Sequence, residues 1–506
     1  MPRSTAMLGL LFVAAPLVAL GACSGDTGGD PGKSGTGGAG GVGPGGAGGA
    51  GGGGSSGTAG GGGVAEPQTC DEAVAARSHV GCDFWPTVTA NPVWSTFDFA
   101  VGVVNAGADA AQVTVSRGGQ DIAADTIPPN TSRTLYLPWV SELKRDDFNS
   151  CTDVTGPTGS VRVLDGAYHL VSSRPVSVYQ FNAIQPGPEA GPPGKDWSQC
   201  VPQQGIGCDD TPCFSYTNEA SLLLPSTSLT GSYRVTGYPG WLPGAVPPYL
   251  SITATEPDTL VSVRLASLGH ISIGPGVTAA GPGGTVTHSL EAGEVLQLLG
   301  NPTSDFSGSL VQADKPVQLI SGMPLVLIPD DQNALDHIEE IVLPAETLGR
   351  RYVVPAPTGP LGEVVGHVVR IYGNVDATTL TYEGAAPAGA PATINAGEVV
   401  DLGVVTGDFE VTGDHEIGVA TFLLGRTAIG MDNLRGDPAQ SAAIPVEQYR
   451  TRHRFFAPVA PAAYETTFVD VVLPVDATLT LDGVPVDEIP PPISAGFGVV
   501  RVPLAP

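Results

Sequence analysis

The chain has 506 residues, only 14% of them charged, yet it carries a net charge of −28 and a pI near 4.4. Such a surface repels nucleic-acid backbones and anionic lipid headgroups, which excludes nucleic acid as an expected partner. Gly and Pro are plentiful, at 70 and 47 residues, and Val and Thr recur in alternation, the composition of an all-β protein with many turns.

Arg3 supplies a positive start and Ala6 to Leu20 is an apolar run too short to span a bilayer comfortably. Residues 1–22 therefore read as an export signal rather than a transmembrane helix. The ending Leu20-Gly21-Ala22-Cys23 resembles a bacterial lipobox, with Gly21 a less usual occupant of its slot. Cys23 is accordingly expected to be the lipid-modified first residue of the mature protein, placing the body in the bacterial cell envelope, on the outer membrane or cell surface. Residues 23–65 follow as a tether, almost entirely Gly, Ala, Ser and Thr from Ser24 to Gly63. Nothing in it offsets the entropy of ordering, so it is expected to stay disordered and to span roughly 35 Å on average. The Gly53-Gly54-Ser55-Ser56-Gly57 match to a hydrolase elbow lies inside this tether, without the strand and helix that motif needs.

Residues 66–215 form the first expected module. It holds all six cysteines that remain after Cys23: Cys70, Cys82, Cys151, Cys200, Cys208 and Cys213. An even count in an exported protein reads as three disulfides, and none of the spacings is that of a structural zinc site. The simplest of the possible pairings joins Cys70 to Cys82, Cys151 to Cys200 and Cys208 to Cys213. All five tryptophans, Trp85, Trp94, Trp139, Trp197 and Trp241, lie in the first half of the chain. Trp85 is close to Cys82 and Trp197 to Cys200, which favours core packing over stacking on a sugar.

A phrase then recurs. Leu224-Pro225, Gly231 and Tyr233-Arg234-Val235 return as Leu343-Pro344, Gly349 and Tyr352-Val353-Val354, with a looser copy from Ile444-Pro445 to Phe455. A period of roughly 100 residues marks repeated modules, with expected bounds 216–336, 337–436 and a partial 437–506. Within each, alternating segments such as Val368-Val369-Arg370-Ile371-Tyr372 read as strands with one buried face. The turns Ala292-Gly293 and Ala396-Gly397 call for a positive φ at glycine. Each module should close on a hairpin, from Val161-Arg162-Val163 to Ser173-Arg174-Pro175-Val176-Ser177-Val178, from Asp305–Leu310 to Asp314–Leu319, and from Asp408–Val411 to Asp414–Val419. The fold expected is all-β, in tandem antiparallel sandwich-like modules, with a four-bladed propeller-like ring as the alternative. The last module has paired strands around Val471 and Leu479 but no closing hairpin, so the strand at Val499 to Val502 should either dock on the body or leave an edge for association, docking being preferred.

Taken together, Asp336-His337-Ile338-Glu339-Glu340 before Leu343-Pro344, Asp314-Lys315-Pro316-Val317, and Gly436-Asp437-Pro438 before Pro445-Val446-Glu447-Gln448-Tyr449 resemble the N-terminal domain family of IgGFc-binding protein. The resemblance covers roughly Tyr216 to Pro506, and the cysteine-bearing module looks like a divergent extra copy. It implies an exported adhesive or recognition module that takes a protein or glycan ligand. It brings no set of binding residues, and for a lipid-anchored bacterial protein Fc binding is not expected.

Chemistry is otherwise sparse. Asp330, Asp331, Asp336, Glu339 and Glu340 are the densest acidic run, and carboxylate oxygens suit calcium. Their spacing fits no EF-hand loop, so a solvated connector in which Asp336 caps a short turn is the preferred reading, and His337 beside them reads as a surface hydrogen-bonding residue. Asp470, Asp476 and Asp482 lack the enforced spacing of a glycosidase pair, and Asp482-Gly483 has hairpin-turn chemistry. No nucleophile stands with a base, no catalytic or metal residues are assigned, and no cofactor is called for. The expected function is a lipid-anchored, non-catalytic surface adhesion or recognition scaffold, with a surface hydrolase of envelope or matrix glycans as the alternative.

Overall fold

The computed structural model of the protein describes residues 66–147, 156–185, 187–188, 191–192, 194–200, 213, 215, 217, 219–330, 335–430, 436–457 and 466–504. The export signal, Cys23, the tether, Cys151, Cys208 and Asp331 lie outside the described residues.

The first unit opens with helix α1 (Cys70–Ala76), started by a capping box in which the Thr69 hydroxyl accepts the Glu72 amide and the Glu72 carboxylate returns to the Thr69 amide. Its strands are β1 (Gly81–Phe84), β2 (Phe99–Asn105), β3 (Ala111–Arg117), β4 (Gln120–Ile127), β5 (Thr131–Leu137), β6 (Val161–Val163), β7 (His169–Asn182) and β8 (Ala220–Leu222), with a one-turn helix α2 (Ser141–Lys144) between β5 and β6. The second unit contains β9 (Thr230–Arg234), β10 (Tyr249–Ala254), β11 (Thr259–Arg264), β12 (Thr285–Leu290), β13 (Val295–Leu299), β14 (Leu310–Val326) and β15 (Asp336–Ile341). The third contains β16 (Gly349–Val354), β17 (His367–Gly373), β18 (Thr378–Gly384), β19 (Thr393–Ile394), β20 (Val399–Val405), β21 (Phe409–Leu423) and β22 (Ala439–Ala442).

The three sheets share one topology. The order β4-β3-β7-β2-β5 recurs as β12-β11-β14-β10-β13 and as β19-β18-β21-β17-β20. In each, the first and last strands also pair with the long one: β1 and β8 with β7, β9 and β15 with β14, β16 and β22 with β21. Strand β6 leaves its own unit and extends the second sheet by pairing with β13. The long strand serves two layers. Leu310 to Ala313 of β14 pairs with β11, and Val317 to Gly322 pairs with β10. A propeller blade is a single four-stranded sheet; here seven strands curl around a core of their own in each unit, centred on Val101 and Leu170, Ile252 and Leu319, and Ile371 and Val419. The curled sandwich therefore replaces the ring. Each fully buried Val, Leu or Phe in these cores contributes about 1.5–3 kcal/mol of transfer free energy.

The expected closing hairpins are not hairpins. In the second and third units the expected second arm lies within one bent strand, continuous through Asp314-Lys315-Pro316 or Asp414-His415-Glu416; in the first, β6 pairs with β13 rather than with β7, and β7 runs unbroken through Ser173-Arg174-Pro175. At the bend a side chain replaces the ladder: Ser173 Oγ accepts the Gln112 amide (2.9 Å), Asp314 Oδ1 the Leu260 amide (2.8 Å) and Asp414 Oδ1 the Thr379 amide (2.7 Å). A short acceptor at that position lets the strand bulge without orphaning its neighbour's donor.

The recurring phrase proves to be a fastener. After Pro225, Pro344 and Pro445 comes the same tight turn, in which the proline carbonyl accepts the amide of Ser228, Thr347 or Gln448. Further on, the Tyr233 hydroxyl accepts the Thr230 amide and donates to the Val317 carbonyl (2.6 Å), while Tyr352 does the same between Gly349 and Ile417 (2.7 Å). These contacts shift the expected glycine match by one residue: Gly349 corresponds to Thr230, not Gly231. Gly349 is required because a Cβ there would lie 2.3 Å from Pro445, as one on Gly81 would from Pro225. Gly293 and Gly397 hold the expected positive φ, 76° and 79°.

Strands β23 (Thr467–Pro474), β24 (Leu479–Leu481), β25 (Val484–Val486) and β26 (Phe497–Leu504) make two antiparallel pairs. Asp482 and Gly483, both at positive φ, turn β24 into β25. The expected docking is observed. Val499 and Val500 are buried, β26 pairs with β23 along its whole length, and Phe497 lies under the Arg351 guanidinium of the third unit. The junction repeats that between the second and third units: Arg370 reaches the Gly237 carbonyl and Asp305 there, and Arg501 reaches the Ala356 carbonyl and Asp408 here.

Candidate functional site

The densest polar constellation lies where the connecting strands meet. Strand β15 packs between β8 and β22, so it touches the first and third units at once. Four residues of β15 expected in a solvated connector belong to this centre or border it. Asp336, His337 and Glu339 are buried, Glu340 is half-buried, and Asp330 is exposed. The solvated-connector reading is thus corrected. Its error has a physical cause: a central strand between two other strands buries both faces, so polar side chains on it survive only with partners.

Those partners are present. Glu339 takes hydrogen bonds from Thr89 (2.7 Å), Gln180 (3.0 Å) and Asn182 (2.8 Å), which are residues of the first unit. His337 Nε2 lies 2.9 Å from the Tyr249 hydroxyl and 3.3 Å from Thr89 Oγ1, and its Nδ1 lies 3.3 Å from Glu219. The Thr217 hydroxyl donates to Glu219 (2.5 Å), and the carboxyls of Glu219 and Asp437 bear electrostatically on Asp336, whose Oδ1 accepts the His337 amide (2.7 Å). Burial pushes Glu219 and Asp437 up to about 8 and Asp336 well above the usual carboxyl range, and raises Glu339. The same burial lowers His337 to about 4, leaving its ring neutral. Asp437 is the member nearest solvent; with Gly436, Thr358, Leu423 and Ile429 it lines a shallow surface depression.

The acidic run does not converge on a cation. Among the described residues no group of three or more His, Cys, Asp or Glu is placed to hold a metal ion. The three candidate aspartates near the C-terminus are also apart in role, Asp476 being exposed in the turn after β23. Asp470 is buried and accepts the Thr358 amide (2.9 Å) and hydroxyl (2.5 Å), whereas Asp482 forms the β24–β25 turn.

Cys70 and Cys82 are bonded as expected, Cα atoms 5.8 Å apart. Cys200 is bonded to Cys213, with Cα atoms 5.4 Å apart, which overturns both other expected pairings, Cys151 with Cys200 and Cys208 with Cys213. Proximity in sequence was the wrong guide. The pair sits in the core shared by the units, with Phe97 and Trp197, and it is this packing that brings the two cysteines together. Cys151 and Cys208 lie outside the described residues. Trp85 is buried against the His169 ring at 4.3 Å and donates to Ser226, in keeping with a structural role.

Glu219, with which the central cluster begins, is also where a family model begins to match: the IgGFc binding protein model covers residues 219–505, more than half of the chain. The chain belongs to the IgGFc-binding protein family. This is a family of binding domains of surface or secreted proteins. No curated protein and no solved structure matches the chain. All of the first unit except β8 lies outside the family match, yet it has the topology of the matched units. Sequence reading missed Glu219, Thr217 and Asp437 as members of the centre. A signal did exist, since Thr217, Asp336 and Asp437 stand at one spacing before Pro225, Pro344 and Pro445.

Proposed function

We propose that the protein is a lipid-anchored, non-catalytic adhesion or recognition scaffold of the bacterial cell surface, taking a protein or glycan ligand rather than an antibody Fc region. The observation that carries this reading is membership of a binding-domain family over residues 219–505. Two further features support it. The lipobox-like ending at Cys23 and the Gly-rich tether would hold the body clear of a membrane, and the carboxyls and imidazole gathered at the centre are engaged with one another and with neighbouring units.

The test has two arms. Cys23→Ala should move the protein from the membrane fraction to the soluble envelope fraction; retention of the variant in the membrane would contradict the anchor. The purified body, residues 66–506, should bind a subset of surfaces in a glycan array or whole-cell assay without consuming them. Reproducible cleavage of a bound glycan, lost on replacing one carboxylate, would overturn the non-catalytic reading.

A further inference from the structure

We infer that the units close into a circuit, in which residues 450–456 are a latch that holds the last, partial unit onto the first. One kind of contact joins each unit to the next: the stretch that follows a unit's first strand lies on the strands of its successor. From the first unit, the Trp85 carbonyl accepts Gln318 Nε2 (2.8 Å), Thr87 Oγ1 lies 2.9 Å from Thr253 Oγ1, and the Ala90 amide donates to Gln297 (2.9 Å). From the second, the Gly237 carbonyl accepts the Tyr372 hydroxyl (2.8 Å), and Tyr238 packs on Phe422 with ring centroids 4.8 Å apart. From the third, the Ala356 carbonyl accepts Arg501 (2.8 Å) and the Thr358 amide donates to Asp470 (2.9 Å). The last unit's stretch turns back to the first. Phe456 packs on Tyr179 and Phe181 of β7, at centroid distances of 6.4 and 5.7 Å, both within the range of aromatic packing.

This fourth contact uses the positions that the others use. Thr236, Pro355 and Phe456 each stand eleven residues after Pro225, Pro344 and Pro445, and Thr87 stands three after Phe84 as Thr236 does after Tyr233. On the receiving side, β2 and β7 hold in the first sheet the places of β17 and β21 in the third. Counted from the bend residues Ser173 and Asp414, Phe181 falls where Phe422 does. Phe456 on Phe181 therefore repeats Tyr238 on Phe422.

The chemistry differs in one informative way. Arg370 of β17, opposite Ala420, reaches back to the second unit; the corresponding residue of β2, opposite Tyr179, is Gly102. A Cβ there would lie 3.3 Å from the Phe181 ring and 3.4 Å from the Phe456 ring, so the glycine leaves the room that the Phe456 ring fills. An aromatic plug stands where the other junction has a cationic clamp. The near end of the latch is fixed by Tyr449, whose ring meets Phe497 edge-on at 5.7 Å, and by Gln448, whose side chain donates to the Thr347 carbonyl. A repeat array that stays open leaves a bare face at each end and needs caps. Here one contact covers both ends, and the first unit, most of which the family match leaves out, completes the circuit.

Hydroxyl-radical labelling of the full mature chain tests this from both sides of the seam. Tyr179 and Phe181 are buried in the parent protein. Phe456→Ala should raise their labelling severalfold, while Tyr233 and Tyr352, buried in their own units, keep parental levels; Phe456→Leu, which keeps an apolar plug, should do so much less. Gly102→Leu puts a side chain where the Phe456 ring lies and should raise labelling of Phe456 itself, again with Tyr233 and Tyr352 unchanged. Unchanged labelling of Tyr179 and Phe181 in F456A, or of Phe456 in G102L, would overturn the latch. So would an equal rise at Tyr233 and Tyr352 in both variants, because the seam would then not be a separate contact.

Discussion

The first and third units have the same strand order but fasten it differently. In the third, the Tyr352 hydroxyl ties the start of β16 to Ile417, at the bend of the long strand β21. At the corresponding place in the first unit stands Phe84, which has no hydroxyl, and β1 is held instead by the disulfide from Cys82 to Cys70 of α1. The bend itself is bridged by Asp414 in one and Ser173 in the other. What the fold requires is that the first strand be pinned where the long strand passes from one layer to the next. The chemistry of the pin is exchangeable, which is why one topology extends beyond the residues that match the family.

Removing the pins should separate the two solutions. Replacing Cys70 and Cys82 together by Ser opens a loop of sequence separation 12, and should cost the first unit about 2–3 kcal/mol. Urea unfolding followed by tryptophan fluorescence reads this directly, because Trp85, Trp94, Trp139 and Trp197 all lie in that unit and the third has none. An unchanged midpoint would mean that β1 is held by something else. Tyr352→Phe should have a smaller effect, about 1–2 kcal/mol, since it removes one hydroxyl but leaves the Gly349 amide and the buried Ile417 carbonyl without it. Exchange at β16 and β21 should rise while the tryptophan signal of the first unit stays put. If the two units respond together, they unfold as one body and the pins are not local.

Much of this architecture was legible in the sequence because local chemistry and tertiary role agree there. The alternation in Val368 to Tyr372 marks a strand, Ala396-Gly397 and Asp482-Gly483 mark turns, and the Leu-Pro phrase marks each passage between units. Reading failed where a residue's role is set by what packs on it from far away. Ser173, Asp314 and Asp414 look like turn formers, yet each fills a gap in a continuous strand for a donor some 35 to 60 residues away in sequence. Asp336, His337 and Glu339 look like a hydrated connector until β8 and β22 are laid on either side. The cysteine partners erred for the same reason, the core around Phe97 and Trp197 outweighing nearness along the chain.

The central claim is that the three units are copies built on one bent strand, and residue-resolved amide exchange of the folded chain tests it most directly. The amides of Gln112, Leu260 and Thr379 face the three bends and should be protected alike. Each should become fast only in its own variant, Ser173→Ala, Asp314→Ala or Asp414→Ala. Rapid exchange at Gln112 in the parent protein, with Leu260 and Thr379 protected, would show that the first unit is not a copy of the other two.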